Sequence, residues 1–596
     1  MALEIVHRVF VRSPATQLVR VETTILSGEP LPSAIIVAMP VWTPGSYLVR
    51  EYSRHVESFA VAPPATFRKV RKNAWRIEPG ASTALAFSYS VFAGELTVRT
   101  NHVDETHAFL VGAALFTAVE GHELQGAVIE IEVPGTWRAA TALEALGCEA
   151  LPNSALHRFT APDFDTLVDS PVELGTFRTV PFQVCGVPHR YAIWPAEAVS
   201  DANLSRLVAD TEQVIEFEAS LFGGALPYPS YDLLLHLSPR GRGGLEHRNS
   251  SALIVPSTSF SSRDGYLDLL SLVAHEVFHA WNVKRIRPEG LTPYRYEVEC
   301  YTRLLWWFEG ATSYYDWRVL VLTGRASVEE YLDHLANEVA YLEQTPGRRV
   351  LSLEAASFDA WIKLYRPDEN TLNSSVSYYR KGEIVCALLD LELRARSDGR
   401  ATLDRVVGYL WREYGLRDRA VPEDGMQAIF EEATGLSLAD LFDAWIRSPA
   451  EIDVGKEIAT VGLAVEHSRR EDDGHGMLGL RVRSDGGRCV VAAVVRDGAA
   501  FATGIAPGDE IIAIGGARVD GSGGVDSVLR GHEPNETVDM VCSRDGRLIV
   551  RRVRLGPPQP HRTRLVAKPD ASPAARRALA AWLGRPHPAW SSEGTA

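Results

Sequence analysis

The chain has 596 residues, 46% of them hydrophobic and 23% charged, with a formal net charge of −15. That length is more than one hydrophobic core organises, so two to four domains are expected. The acidic balance argues against general nucleic-acid binding, and no apolar run approaches the roughly 18 residues of a membrane span.

The start, Met1-Ala-Leu-Glu-Ile-Val-His-Arg8, alternates like a strand and has neither a basic n-region nor an apolar h-region. With six scattered cysteines and no C-x-x-C pair, the expectation is a soluble cytoplasmic protein with free thiols. Residues 1–172 read as short strands, among them Leu3–Val11, Gln17–Leu26, Ala34–Ala38, Ala84–Phe92 and Ala127–Val133, rich in β-branched and aromatic residues. An N-terminal β-sandwich is expected there. Residues 173–255 mix types: Asn203–Leu221 has helical periodicity, and Tyr231–Leu237 and Leu253–Val255 read as strands. From 256 to 450 the chain reads as helical, with apolar residues at three- and four-residue intervals over Tyr266–Trp281, Leu304–Leu322, Val328–Leu342, Glu383–Arg394, Leu403–Tyr414 and Leu438–Ile446. Short strands and glycines return over 458–556. A tail over 557–596 follows, entered through Gly556-Pro-Pro-Gln-Pro560, and carries a short helix near 573–583.

The segment His275-Glu-Val-Phe-His279 lies within one of these helices. At 3.6 residues per turn, positions i and i+4 stand one above the other, so both imidazoles can reach one ion. Glu276 is turned about 100° away, which suits a base facing water rather than a ligand. Glu309, 30 positions after His279 in Trp306-Trp-Phe-Glu-Gly310, offers a third donor. Two histidines, one glutamate and an open fourth position form the catalytic zinc arrangement, whereas structural zinc sites are closed by four ligands. Asp316, seven residues beyond Glu309, could orient a ligating histidine through its other nitrogen. Such an ion acidifies its bound water, and Glu276 would take that proton and deliver it to the leaving amine.

The segments His275–Pro288 and Trp307–Tyr315 resemble the glycyl-aminopeptidase-like zinc metallopeptidases, a gluzincin family with a thermolysin-like catalytic domain. The resemblance extends to Val41–Tyr52, Leu167–Gly175, Gly243–Ser250 and Tyr378–Gly382, and covers about 1–555 in matching order. It implies that Glu246 holds a substrate's free α-amine, with Gly243 and Gly244 letting backbone approach, and that Tyr379 stabilises the oxyanion. It also implies one Zn²⁺ per chain and a preference for small N-terminal residues, glycine or alanine. In the broader group asparagine usually follows the amine-binding glutamate; here His247 follows. Over 458–556, Gly476–Val482 and Gly504–Gly516 resemble a PDZ domain, whose carboxylate-binding loop would be Leu478, Gly479 and Leu480.

The sequence therefore predicts a multidomain α+β protein: N-terminal β-sandwich, thermolysin-like α/β catalytic domain with helical continuation, and C-terminal PDZ domain. Its partners would be peptides with a free N-terminus and, at the PDZ domain, a peptide C-terminus, without nucleic acid or membrane. Two alternatives stand beside the zinc aminopeptidase: a zinc endopeptidase of the same fold, and an inactive PDZ-bearing scaffold.

Overall fold

The computed structural model of the chain describes residues 3–239, 241–468, 475–558 and 562–590; Gln559 and Pro560 of the proline-rich stretch and residues 591–596 lie outside them. Two compact units emerge, one of residues 1–302, 315–325 and 407–423, the other of 303–314, 326–406 and 424–596. No described helix is long and apolar enough to cross a membrane.

The first unit opens β-rich, as expected. Burial alternates along Leu3–Phe10 because successive strand side chains point to opposite faces. A seven-stranded sheet runs in the order Glu144–Ala150, Ser154–Ala161, Ala127–Pro134, Leu3–Phe10, Leu18–Ser27, Ala84–Phe92, Val56–Val61. Two four-stranded sheets accompany it, and one core joins Val9, Val21 and Ile25 to Val37, Ile77, Phe109 and Leu174. A five-stranded mixed sheet follows, in the order Arg178–Val184, Val187–Trp194, Tyr231–Leu237, Ser250–Val255, Gly243–Glu246. Tyr231–Leu237 pairs in parallel on both sides and is buried throughout, hence its continuous apolar run. Gly243–Glu246 is an edge strand, antiparallel to Ser250–Val255. Against these two strands packs the helix Arg263–Phe278, started by Ser262, whose hydroxyl accepts from the Gly265 N–H.

In the second unit Ser327 and Glu330 form a reciprocal capping box at the start of the helix Val328–Glu343. The helix expected over Leu304–Leu322 is instead two helices, Leu305–Phe308 and Gly310–Leu322, with the break at Glu309. The periodicities over Leu403–Tyr414 and Leu438–Ile446 end in wide π-turns, Trp411–Gly415 and Phe442–Arg447, which keep Trp411, Tyr414 and Trp445 buried. The PDZ-like region forms its own sheet, in the order Leu480–Asp485, Arg488–Val494, Glu510–Ile514, Thr537–Arg544, Arg547–Arg554, over a core that includes Val491, Ile511, Met540 and Val553. The strand Leu463–Ser468 stands apart from that sheet and pairs with Arg562–Ala567 from the tail. The tail is thus built into the unit: Trp582 is fully buried and donates its indole N–H to the Tyr314 hydroxyl at 2.9 Å.

Candidate active site

The helix Arg263–Phe278 delivers His275 in its last turn and His279 at its C-cap. The two imidazole centroids stand 4.7 Å apart at 84°. Each ring has its Nδ1 engaged, His275 with the Asp316 carboxylate at 2.9 Å and His279 with the Asn282 carbonyl at 2.7 Å. An imidazole donating from Nδ1 presents Nε2 to an ion, and a carboxylate behind it strengthens that donor. Asp316 therefore sits where it can orient His275. Beside this pair lies Glu218 of the helix Asp201–Leu221, which sequence reasoning did not single out; burial, reinforced by Asp316 and opposed by His275, pushes its carboxyl well above the ordinary range.

Glu276 is buried against the edge strand. A Cβ on Gly244 would stand 2.0 Å from Glu276 Oε1, so only glycine fits there. Donor atoms of Glu246, Glu276 and His279 lie within 4.8 Å of one another. Glu246 is 4% exposed, and its Oε1 has no hydrogen-bond partner among the described residues. On its other side the backbone of Gly45, at φ +85°, presses so close that a Cβ there would lie 2.4 Å from Glu246 Oε2. The turn bearing Gly45 is held by Trp42, whose indole N–H donates to the Arg295 carbonyl at 2.9 Å.

The segment Leu167–Gly175 supports this region through two carboxylates. Asp169 accepts from Lys284 Nζ at 2.8 Å and from the Arg248 N–H at 2.8 Å, and pairs with His247 Nδ1 at 3.1 Å. Burial alone would raise Asp169, but Lys284 and His247 hold it well below the usual carboxylate range. His247, which follows the candidate amine anchor, is thereby fixed from 78 positions away in the chain. Glu173 bridges His107 Nδ1 at 3.0 Å and His236 Nε2 at 2.8 Å, tying His107–Leu110 to Tyr231–Leu237.

In the second unit Glu309 occupies the break between its two helices, and Tyr379 stands at the N-cap position of the helix Arg380–Arg396 without a capping hydrogen bond from its side chain. Two glycines bring these segments together. A Cβ on Gly310 would lie 2.6 Å from the Gly382 Cα, and one on Gly382 would lie 2.8 Å from the Trp306 carbonyl. The Tyr379 ring stacks on Tyr378 at 4.8 Å. Burial, then the nearby Glu309 carboxylate, pushes its phenol well above the ordinary value.

The expected carboxylate loop is tightly tied. The Leu478 carbonyl accepts from the Ala500 N–H at 2.8 Å, and the Gly479 carbonyl from the Val495 N–H at 2.9 Å, with Gly479 at φ +70° against Gly498. The residues flanking Val495 are clamped in turn by Asn373, which donates to the Val494 carbonyl at 2.8 Å and accepts from the Arg496 N–H at 2.7 Å.

Residues 268–385 match the M61 glycyl aminopeptidase family, 7–176 the M61 N-terminal domain, and 476–555 the PDZ domain. The chain carries the domains of an M61 peptidase and a PDZ domain. A crystal structure of an aminopeptidase N family protein from Idiomarina loihiensis is similar over almost the whole length: 28% identity, 97% of this chain and 100% of that chain, TM-score 0.89. Legionella pneumophila aminopeptidase A, solved with aspartic acid, shares 11% identity over 75% of this chain and 49% of that one at TM-score 0.50, a likeness of fold alone. An M1 zinc metallopeptidase from Deinococcus radiodurans aligns at 15% identity over 76% and 96% with TM-score 0.47. No curated protein matches the chain. The family matches support a peptidase, and the expected α+β architecture with a C-terminal PDZ domain stands.

Proposed function

We propose that this M61 peptidase is a zinc-dependent aminopeptidase that releases N-terminal residues, glycine or alanine, from peptides. The observation that carries the reading is Glu246: a buried carboxylate with one oxygen unpartnered among the described residues, within 4.8 Å of donor atoms of Glu276 and His279. A buried carboxylate calls for a cation, and a substrate's α-ammonium at this point would set the N-terminal peptide bond beside the base. The backbone of Gly45 walls the same carboxylate, which favours a small first residue.

The donor set fits a metal ion. His275 and His279 present Nε2 from rings whose Nδ1 atoms are engaged. Glu309 is the third ligand of the proposal: it directly precedes the helix that carries Asp316, and the M61 match spans both the histidine helix and this segment. One ion per chain, when bound, supplies the Lewis acidity that lowers the pKa of water and polarises a carbonyl. Glu276 accepts the proton of the attacking water on its carboxylate and passes it to the departing amine. Tyr379, its phenol held protonated by burial and Glu309, donates a hydrogen bond to the developing oxyanion. Gly243 and Gly244 let the substrate backbone lie along the edge strand. At the PDZ domain, Leu478, Gly479 and Leu480 would receive a peptide C-terminus, with the edge strand Leu480–Asp485 pairing alongside.

The test uses paired peptides that differ only in a free or acetylated amine. Glu246→Ala should lower kcat/KM for the free amine by about one to two decades, the worth of a charge-assisted contact, and barely change the capped peptide. Equal losses on both would make Glu246 a structural support, and a parent that prefers the capped peptide would be an endopeptidase.

A further inference from the structure

We propose that Arg99 reads the terminal carboxylate of short substrates, which makes tripeptides, and to a lesser degree dipeptides, the preferred substrate class. The inference rests on Glu246 as the amine anchor and adds where the other end of the substrate goes.

Two points on the edge strand Gly243–Glu246 fix the direction of the substrate. Its amine is held at Glu246, and the base Glu276 lies beside Gly244, where a Cβ would meet its carboxylate at 2.0 Å. Beyond the cleaved bond, the peptide therefore runs toward Gly243, antiparallel to the strand, along the edge that carries no strand among the described residues. A strand rises about 3.3 Å per residue, so Gly243 lies roughly 10 Å from Glu246. An extended tripeptide spans about the same length, and its carboxylate arrives at Gly243.

Arg99, from the segment between the strands Ala84–Phe92 and His102–Val103, stands at that point. Its Nη2 donates to the Gly244 carbonyl at 3.2 Å, and Nη1 is 3.9 Å from where a Gly243 Cβ would be. Its Nε is buried with no hydrogen-bond partner among the described residues. Its backbone is set in place, the N–H donating to Thr97 Oγ1 at 3.1 Å and the carbonyl accepting from the Tyr52 hydroxyl at 3.0 Å. Arg242, next to the same strand, is already engaged by both carboxylate oxygens of Asp268, at 2.7 and 2.6 Å. Arg99 has no such carboxylate among the described residues. A guanidinium with Nη2 on the Gly244 carbonyl and Nη1 beside Gly243 offers donors in the plane that a carboxylate needs.

The experiment measures kcat/KM of the zinc-loaded full chain on Ala-Ala-Ala, its C-terminal amide, and a six-residue alanine peptide as acid and amide. The parent should prefer the tripeptide acid over its amide by about 10- to 100-fold, the range for a charge-assisted contact. That preference should be absent for the longer pair, whose carboxylate lies beyond Arg99. Arg99→Gln should bring the tripeptide acid-to-amide ratio to about one, and Arg99→Lys should keep part of it. Because the readout is a ratio within one protein, a general loss of activity from the missing Gly244 contact does not affect it. A parent that treats acid and amide alike, or a ratio that survives Arg99→Gln, overturns the proposal. A parent that releases no N-terminal residue from any of the four overturns the aminopeptidase reading, and this one with it.

Discussion

Around His275 and Glu246 the functional atoms are positioned by charges and hydrogen bonds: Asp316 on one imidazole, a carbonyl on the other, and Lys284 and Asp169 bracing His247. Around Glu309 and Tyr379 in the second unit the positioning is done by bare backbone, with Gly310 against Gly382. An isosteric change of a polar side chain leaves the packing around it in place, whereas a close backbone contact has no side chain to give way. Substitutions in the first region should therefore separate chemistry from stability, and those in the second should move both together.

The sharpest case is Glu276→Gln. The side chain keeps its size, so the fold and bound zinc should persist while kcat falls by at least ~10²-fold, the low end for loss of a general base. Metal analysis alongside turnover checks this, and parental turnover would remove Glu276 from the mechanism. Asp316→Ala probes the same region one step further out. Without the carboxylate, His275 is less well oriented, and zinc affinity by chelator competition should weaken about 10- to 100-fold; unchanged affinity would show that Asp316 does not orient the ligand.

Gly310→Ala tests the contrasting region. In an unconstrained helix this change stabilises by roughly 0.5–1 kcal/mol. Here the added carbon meets the Gly382 Cα at 2.6 Å and the Tyr378 carbonyl at 3.0 Å, so a loss of about 1–3 kcal/mol is expected instead, together with lower activity. Denaturant unfolding gives the sign, and a stabilised variant would refute the backbone-contact account.

The pH-dependent case concerns Lys381, buried in the same segment with an ammonium that has no hydrogen-bond partner among the described residues. Burial, then Arg348, lowers its pKa from 10.5 to about 8. Below that value folded and unfolded chains both carry the proton and the cost of burying the charge is present in full. Between about 8 and 10.5 only the unfolded chain binds it, so this contribution to stability rises with pH, by at most about 1.4 kcal/mol per unit. Lys381→Met should be more stable than the parent at pH 7, and the gap should close toward pH 10. A gap independent of pH would mean that Lys381 does not titrate in this window.

What was legible along the chain was what repeats locally. The strands Ala84–Phe92 and Tyr231–Leu237 have the boundaries their patterns predict, and the helix of His275 and Glu276 follows from its apolar spacing. These depend on the period of a helix or strand, which neighbouring residues carry by themselves. The break at Glu309 and the wide turns after Leu410 and Leu441 were not legible, since the periodicity runs through them.

The sequence by itself determined the succession of β-rich, mixed and helical regions, and it put two imidazoles and a carboxylate on one stretch of helix. Only the tertiary structure decided what stands next to them. Arg99 reaches the edge strand from 145 positions away, Asp169 reaches His247 from 78, and the Gly45 backbone closes on Glu246. Charge pairing and close packing act between neighbours in space, at separations no local period encodes, so the surroundings of Glu246, which the sequence already singled out, became visible only once the sheets had folded.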